Sequence, residues 1–267
     1  MSIKSKLYAG FGLLVLIAVA LAVFAITEFN GINTNVVKMN ALAENTTRVL
    51  QIEHDLEQVR RTALRFTYDH DEASAKENGE LANQVVATLR DAAQATLSDE
   101  RRKLYNGLQA DVAANQALTQ SMFDTVKKME AEQQKLHDSG NELTDTTTII
   151  VAKARNGGDE EVIGLGAKLY AQLLAVRVAN WRTQATLDPK GLAILASEVG
   201  KAAEIIASLE AAGGAQSMRA RVGQLKVSLN DYAATAESYI KHQQQVHDVY
   251  VNKIAPQVKE MQATTAK

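Results

Sequence analysis

From Met122 to Ile150 the chain places Met122, Val126, Met129, Gln133, Leu136, Gly140, Leu143, Thr147 and Ile150 on steps of four and three. Side chains at that spacing share one face of an α-helix, and such a seam is stable when other helices pack against it. The next strong breaker is Asn156-Gly157-Gly158, so the spacing predicts a helix of about 58 residues, or about 87 Å at 1.5 Å per residue. A rod of that length commits the chain to an elongated helical assembly. Only 2 prolines interrupt the sequence, and its stretches rich in Ala, Leu, Glu, Gln and Lys lose little rotamer freedom in helices. An all-α fold with almost no strand is expected.

Five further helices follow the same logic. Ile52, Leu56, Val59, Ala63 and Phe66 form the seam of a first helix that ends near Asp69-His70-Asp71. A second runs from about Asp71 to Leu97, and Ser98-Asp99-Glu100 restarts the pattern as a cap with acids in the first turn. The fourth begins at Asp159 and stops at Asp188-Pro189-Lys190-Gly191, where Pro189 suits a first helical position. The fifth reaches Ala212, Gly213-Gly214 breaks it, and a sixth continues from about Gln216 to the end with a bend at Pro256. The order is short, short, long, twice over. A chain that rises in two short steps and descends in one long helix, repeated, makes two stacked four-helix bundles sharing two long helices. On this reading a proximal bundle takes residues 28–70, 122–187 and 232–267, and a distal one takes 71–121 and 188–231.

The N-terminus fixes the compartment. Residues 1–6 carry Lys4 and Lys6, and the run from Leu7 to Ile26 carries no charge. Twenty such residues span a hydrocarbon core of about 30 Å, which predicts a transmembrane helix at 7–27. Lysines before the run and Glu28 after it put the N-terminus in the cytoplasm and residues 28–267 outside. Ala18-Val19-Ala20 offers signal-peptide cleavage as the rival reading, against which the run is longer than an h-region of about 7 to 15 residues. In a Gram-negative cell the remainder is periplasmic, anchored to the inner membrane.

Composition narrows the chemistry. Lys and Arg total 29 against 31 Asp and Glu, for a net charge of -2, and that balance argues against a nucleic-acid partner, which usually requires a basic face. The absence of cysteine excludes disulfides and thiolate chemistry. His54, His137, His242 and His247 are scattered with no His-x-x-x-His pair, so no metal site is expected. No nucleophile elbow, phosphate loop or HExxH motif appears, and Gly157-Gly158-Asp159-Glu160-Glu161 lacks a surrounding α/β pattern. Neither an enzyme nor a cofactor is expected.

What stands out is a repeat. VRRTALR, Val59 to Arg65, and VRVANWR, Val176 to Arg182, share the frame V-R-x-x-x-x-R. Counting from the turn at Gly157 at 1.5 Å per residue brings Val176 level with the region of Asp138 and with Tyr232 to Tyr239. At that level Ala63, Gln133, Gly140, Asn180, Thr183 and Ala236 stand where the stepping calls for large apolar residues. An unfilled gap costs about 24 cal/mol per Å³, so a polar occupant is expected there. Arg60 and Arg177 follow seam valines and can turn their forks inward. The candidate ligand-binding residues are therefore Arg60, Arg65 and Arg177, with Gln133, Asn180, Thr183 and Tyr239 as hydrogen-bonding partners. The alternative is a solvated face held by pairs such as Glu57 with Arg61. Arg101 and Arg102 open the third helix and Arg219 and Arg221 the sixth, which reads either as a distal anion site or as ordinary surface charge.

The basic N-terminus, single span, two short-short-long helix sets and the VRRTALR and VRVANWR frames together resemble the helical bimodular sensor domain of bacterial methyl-accepting chemotaxis receptors and some sensor kinases. The resemblance implies a homodimer that binds small organic acids between helices of the proximal bundle through arginines and signals by helix displacement across the membrane. Such a receptor continues into a second span, a HAMP linker and a cytoplasmic coiled coil, whereas this chain stops at Lys267 after QVKEMQATTAK. It reads as a truncated form lacking the downstream cytoplasmic signalling region. The alternatives are the sensor of a histidine kinase that reads a periplasmic binding protein, and an anchored structural coiled coil.

Overall fold

The computed structural model describes residues 3–96, 98–157 and 159–265, with residues 4–10 described by backbone alone. Leu97 and Gly158, expected at two helix ends, lie outside the described residues. Helices α1 (Ile3–Asp69), α2 (Glu72–Ala95), α3 (Asp99–Gly157), α4 (Glu160–Thr186), α5 (Gly191–Ala211), α6 (Arg219–Val249) and α7 (Ala255–Thr265) account for the fold, and no strand occurs among the described residues. A 3₁₀ turn (Gly213–Met218) leads into α6, and a π-helical turn (Tyr250–Ile254) joins α6 to α7, so that α6 and α7 make one continuous sixth rod. The bend expected at Pro256 takes this form. Proline cannot donate to the carbonyl four residues back, and the widened π turn sits directly before it, while Asn115 Nδ2 donates to the Ile254 carbonyl at 3.3 Å.

Two hydrophobic cores stack along the rods. The basal core, next to the apolar end of α1, joins Ile52, Leu56 and Val59 of α1 with Val85 and Leu89 of α2, Tyr105 and Leu108 of α3, and Val258 and Met261 of α7. The apical core joins Leu136, Leu143 and Ile150 of α3 with Leu169 and Val176 of α4, Leu195 and Ile206 of α5, and Leu225, Leu229 and Tyr232 of α6. Phe66 and Phe123, their ring centroids 4.2 Å apart, mark the joint. Two stacked four-helix bundles thus share α3 and the sixth rod.

The allocation of helices differs from the expected one. Residues 71–121 belong to the basal bundle rather than the distal one, and residues 122–187 belong to the apical bundle rather than the proximal one. The reason is the turns. His70 adopts a left-handed φ of 55°, and Asp71 then caps α2, accepting from Ala73 N at 3.1 Å and Ser74 Oγ at 2.9 Å. Such a tight reversal sends α2 back along α1, so the long α3 starts at the base and rises. Leu187, with φ 51°, does the same between α4 and α5. There the backbone of Gly191 abuts Thr183 so closely that a Cβ would collide with it.

Candidate functional site

The apical bundle carries a polar layer in its interior, built by residues that are small or hydrogen-bonded where neighbouring layers are aliphatic. Gly140 on α3 opens space toward α6 and α4, for a Cβ there would lie 3.4 Å from the Tyr232 ring and 3.8 Å from Arg177 Nε. Asn180 Nδ2 donates to Tyr232 Oη at 2.9 Å, and Gln184 Nε2 donates to Asn180 Oδ1 at 2.9 Å. Burial raises the Tyr232 hydroxyl above the usual tyrosine range, opposed by the Asn180 hydrogen bond and the Arg177 charge. It is a neutral phenol at neutral pH.

Arg177 sits at the edge of this layer. Its Nη1 donates to Thr144 Oγ1 at 2.8 Å, and its Cζ lies 5.2 Å from the Trp181 ring centroid, a cation–π distance. A guanidinium has five N–H donors, and the described residues give it no carboxylate. Arg48 and Arg60, the other partly buried arginines, are paired with Glu44 and Glu57. Beside Arg177 a crevice between α3 and α4, lined by Leu143, Thr144, Thr147, Tyr170 and Leu174, has a volume of about 10 Å³, the size of one water.

Of the residues singled out from the sequence, Arg177, Asn180, Thr183 and Tyr239 share the apical bundle. Thr183 is buried but spends its hydroxyl on the Ala179 carbonyl at 2.8 Å. Tyr239 is buried beside Glu132, which also accepts from Ser238 Oγ at 2.6 Å and lies 2.9 Å from His242 Nδ1. Gln133 is exposed, and its neighbour Glu132 turns inward instead. Between the buried Met129 and Leu136 the helix steps by three and then four, not four and then three. Both orders satisfy the sequence pattern equally, so the pattern does not choose between them.

Arg60 and Arg65 do not join that layer. Arg60 lies in the basal bundle beside Tyr250, and its Nη2 and Nε bind both oxygens of Glu57 at 2.7 and 2.9 Å. Tyr250 is 18 residues along the sixth rod from Tyr232, about 27 Å at helical rise, so one small diacid does not bridge Arg60 and Arg177. Arg65 braces the α1–α2 turn through Asp71 at 2.7 Å. Arg102 binds Asp99 and the Thr96 carbonyl at the base, while Arg219 and Arg221 open α6 at the apex. The two basic pairs expected to meet at one end are at opposite ends, because α3 rises where descent was expected. A cleft of about 520 Å³ lies at the base between α1 and the start of α3, around Asn45, Leu50, Arg101 and Tyr105. Thr144 and Glu132 were missed in the sequence, where a threonine or glutamate on a polar helix carries no mark of facing inward.

The helix order α1, α2 and rising α3 is also what the comparison with known families picks out. Residues 1–150 match the four-helix-bundle sensory module for signal transduction of methyl-accepting chemotaxis proteins. The chain belongs to that family. The match covers the helices of the basal bundle before α7 and carries α3 into the apical one, while α4, α5 and α6 follow it. No curated protein matches the sequence. An N-terminal helix segment long and apolar enough to cross a membrane fits a sensory module of a membrane receptor, and α4 passes the same test of length and composition although it packs within the apical bundle.

Proposed function

We propose that this sensory module is the ligand-sensing region of a transmembrane chemoreceptor of the helical bimodular kind, which binds a small organic acid at Arg177 in the apical bundle. On this reading residues 1–6 are cytoplasmic, residues 7–27 span the inner membrane, and the bundles stand in the periplasm as part of a homodimer. The observation that supports it is the partly buried Arg177 guanidinium, which has a hydroxyl and an indole ring for company but no carboxylate. A carboxylate would complete it with paired, charge-assisted bonds of the strong class. Thr144 and Thr147 line the same crevice, with their hydroxyls donating to the Gly140 and Leu143 carbonyls at 2.9 and 2.7 Å, so the charge-assisted bonds to the acid come from Arg177.

The crevice is closed to the size of a water, so the acid enters by parting α3 from α4. A ligand shifts such an equilibrium only by its differential affinity for the open form. Because α3 is one unbroken helix from Gly157 to Asp99, a displacement at Thr144 reaches the basal bundle and α1 as a small sliding of packed helices. Arg60 and Arg65 act in this account as structural residues of the basal bundle and its turn.

Calorimetric titration of the chain with mono-, di- and tricarboxylates tests the proposal. Binding of at least one acid is expected, abolished in Arg177→Ala and retained in Arg60→Ala. Retention in Arg177→Ala with loss in Arg101→Ala would move the site to the basal cleft.

A further inference from the structure

Apart from its cation, the crevice between α3 and α4 is built of uncharged side chains. Among the described residues that line it, Arg177 carries the one charge, and Leu143, Tyr170, Leu173 and Leu174 supply an apolar wall. Leu143 and Leu173 are buried, whereas Tyr170 and Leu174 stand 41% and 44% exposed. Thr144 and Thr147 have committed their hydroxyl protons to the Gly140 and Leu143 carbonyls. The guanidinium itself has limited capacity. Its Nη1 donates to Thr144 Oγ1 and one of its faces is turned to the Trp181 ring, which leaves edge N–H groups for a single bidentate carboxylate.

We infer that the acid is a monocarboxylate with an apolar body of several carbons, whose carboxylate binds Arg177 and whose body lies along Leu143, Tyr170, Leu173 and Leu174; the inference rests on the Arg177 reading above. The charge of the wall excludes the alternatives. A second carboxylate carried into the crevice would leave water for leucine side chains and find no cation of its own, and an unpaired charge is costly to bury. A small diacid or triacid is therefore disfavoured. The closed state of the crevice selects for the apolar body. With room for one water, it admits an acid only by parting α3 from α4, which takes Leu143 and Leu173 out of their mutual cover. An apolar body covers that surface again, in proportion to its area, and it also shields Tyr170 and Leu174, which the closed bundle leaves half-exposed. Acetate offers Arg177 the same carboxylate but too little surface to offset the opening.

Calorimetric titration of the full chain in detergent with acetate, butyrate, hexanoate, succinate and citrate tests this, with Arg177→Ala as the blank for uptake by the detergent. Affinity is expected to rise about fourfold per methylene from acetate to hexanoate, the factor for burying one CH₂. Hexanoate is expected to bind at least about ten times more tightly than succinate or citrate, and Arg177→Ala to bind none of them. Leu174→Gln, a change at an exposed position, is expected to flatten the rise per methylene. An unchanged rise in that variant would take the body away from the wall and overturn the inference. If succinate or citrate binds more tightly than hexanoate, or acetate as tightly, and Arg177→Ala abolishes that binding, the inference fails while the Arg177 reading stands. If no acid binds, or binding persists in Arg177→Ala, the reading fails and the inference with it.

Discussion

Asn180 and Tyr232 hold α4 to α6 across the diagonal of the apical bundle by one hydrogen bond of 2.9 Å, with both side chains at most 2% exposed. The bond fixes the polar layer against which Arg177 rests. Tyr232→Phe removes the acceptor and leaves the Asn180 amide buried with one fewer partner, at an expected cost of about 1 to 3 kcal/mol. Urea denaturation of the variant measures it. A cost below about 0.5 kcal/mol would show that the pair contributes little to the bundle.

Gly140 gives that layer its room. A side chain there meets the Tyr232 ring at 3.4 Å and the Arg177 guanidinium at 3.8 to 3.9 Å. Gly140→Val therefore overpacks the layer, destabilising the apical bundle by about 1 to 3 kcal/mol, and it blocks any ligand that uses Arg177. Calorimetry before and after heating separates the two effects, because the folded variant is expected to stay silent toward acids the parent binds.

The Glu57–Arg60 pair makes stability in the basal bundle depend on pH. Hydrogen bonding to Arg60, helped by Arg61 and opposed by burial, pulls the Glu57 carboxyl from 4.5 down to about 2. A folded-state value below the unfolded one means that the stabilisation is complete above about pH 4.5 and is lost as pH falls toward 2. The side chains are 34% and 27% exposed, and screening brings the contribution to about 1 kcal/mol. Arg60→Ala is thus expected to lower stability at pH 7 and to converge with the parent near pH 2. Denaturation curves at both pH values check this, and a constant gap would contradict it.

The helices, their breaks and the sharing of long rods were legible in the sequence, because four-three stepping and the Asn-Gly and Gly-Gly breakers act locally. The direction of travel was not. Whether Asp69-His70-Asp71 continues a rod or reverses it depends on one left-handed residue, His70, and although histidine is enriched there among non-glycine residues, only a few per cent of such residues take that conformation. That single turn decided which bundle received α2, α3 and α4. It also parted Arg60 from Arg177, although their sequence frames are alike. For Arg177 the count from Gly157 placed it level with Gly140 and Tyr232, since both neighbours of that turn rise at the same rate. The pairing of Arg60 with Glu57, three residues away, was equally local but competes with the Arg61 pairing that shares the same carboxylate.

The π turn before Pro256 is supported from α3, where Asn115 Nδ2 reaches both the Ile254 carbonyl at 3.3 Å and Gln257 Oε1 at 3.0 Å. Asn115→Ala leaves that buried carbonyl without its side-chain donor, at about 1 to 2 kcal/mol. Pro256→Ala restores a backbone donor and is expected to favour a regular helix through the joint. Amide hydrogen exchange across Tyr250–Ile254 distinguishes them, with faster exchange in Asn115→Ala and slower exchange in Pro256→Ala.

Trp181 is the one tryptophan of the chain, and its ring lies 5.2 Å from the Arg177 guanidinium carbon, so its fluorescence reports on the surroundings of that cation. Titration of the chain with small carboxylic acids while Trp181 emission is recorded is the most direct test of ligand binding at Arg177. A saturable change in emission is expected for at least one acid, absent in Arg177→Ala and preserved in Arg60→Ala. An acid that binds by calorimetry yet leaves Trp181 emission unchanged, or that shifts it equally in Arg177→Ala, would contradict binding at Arg177.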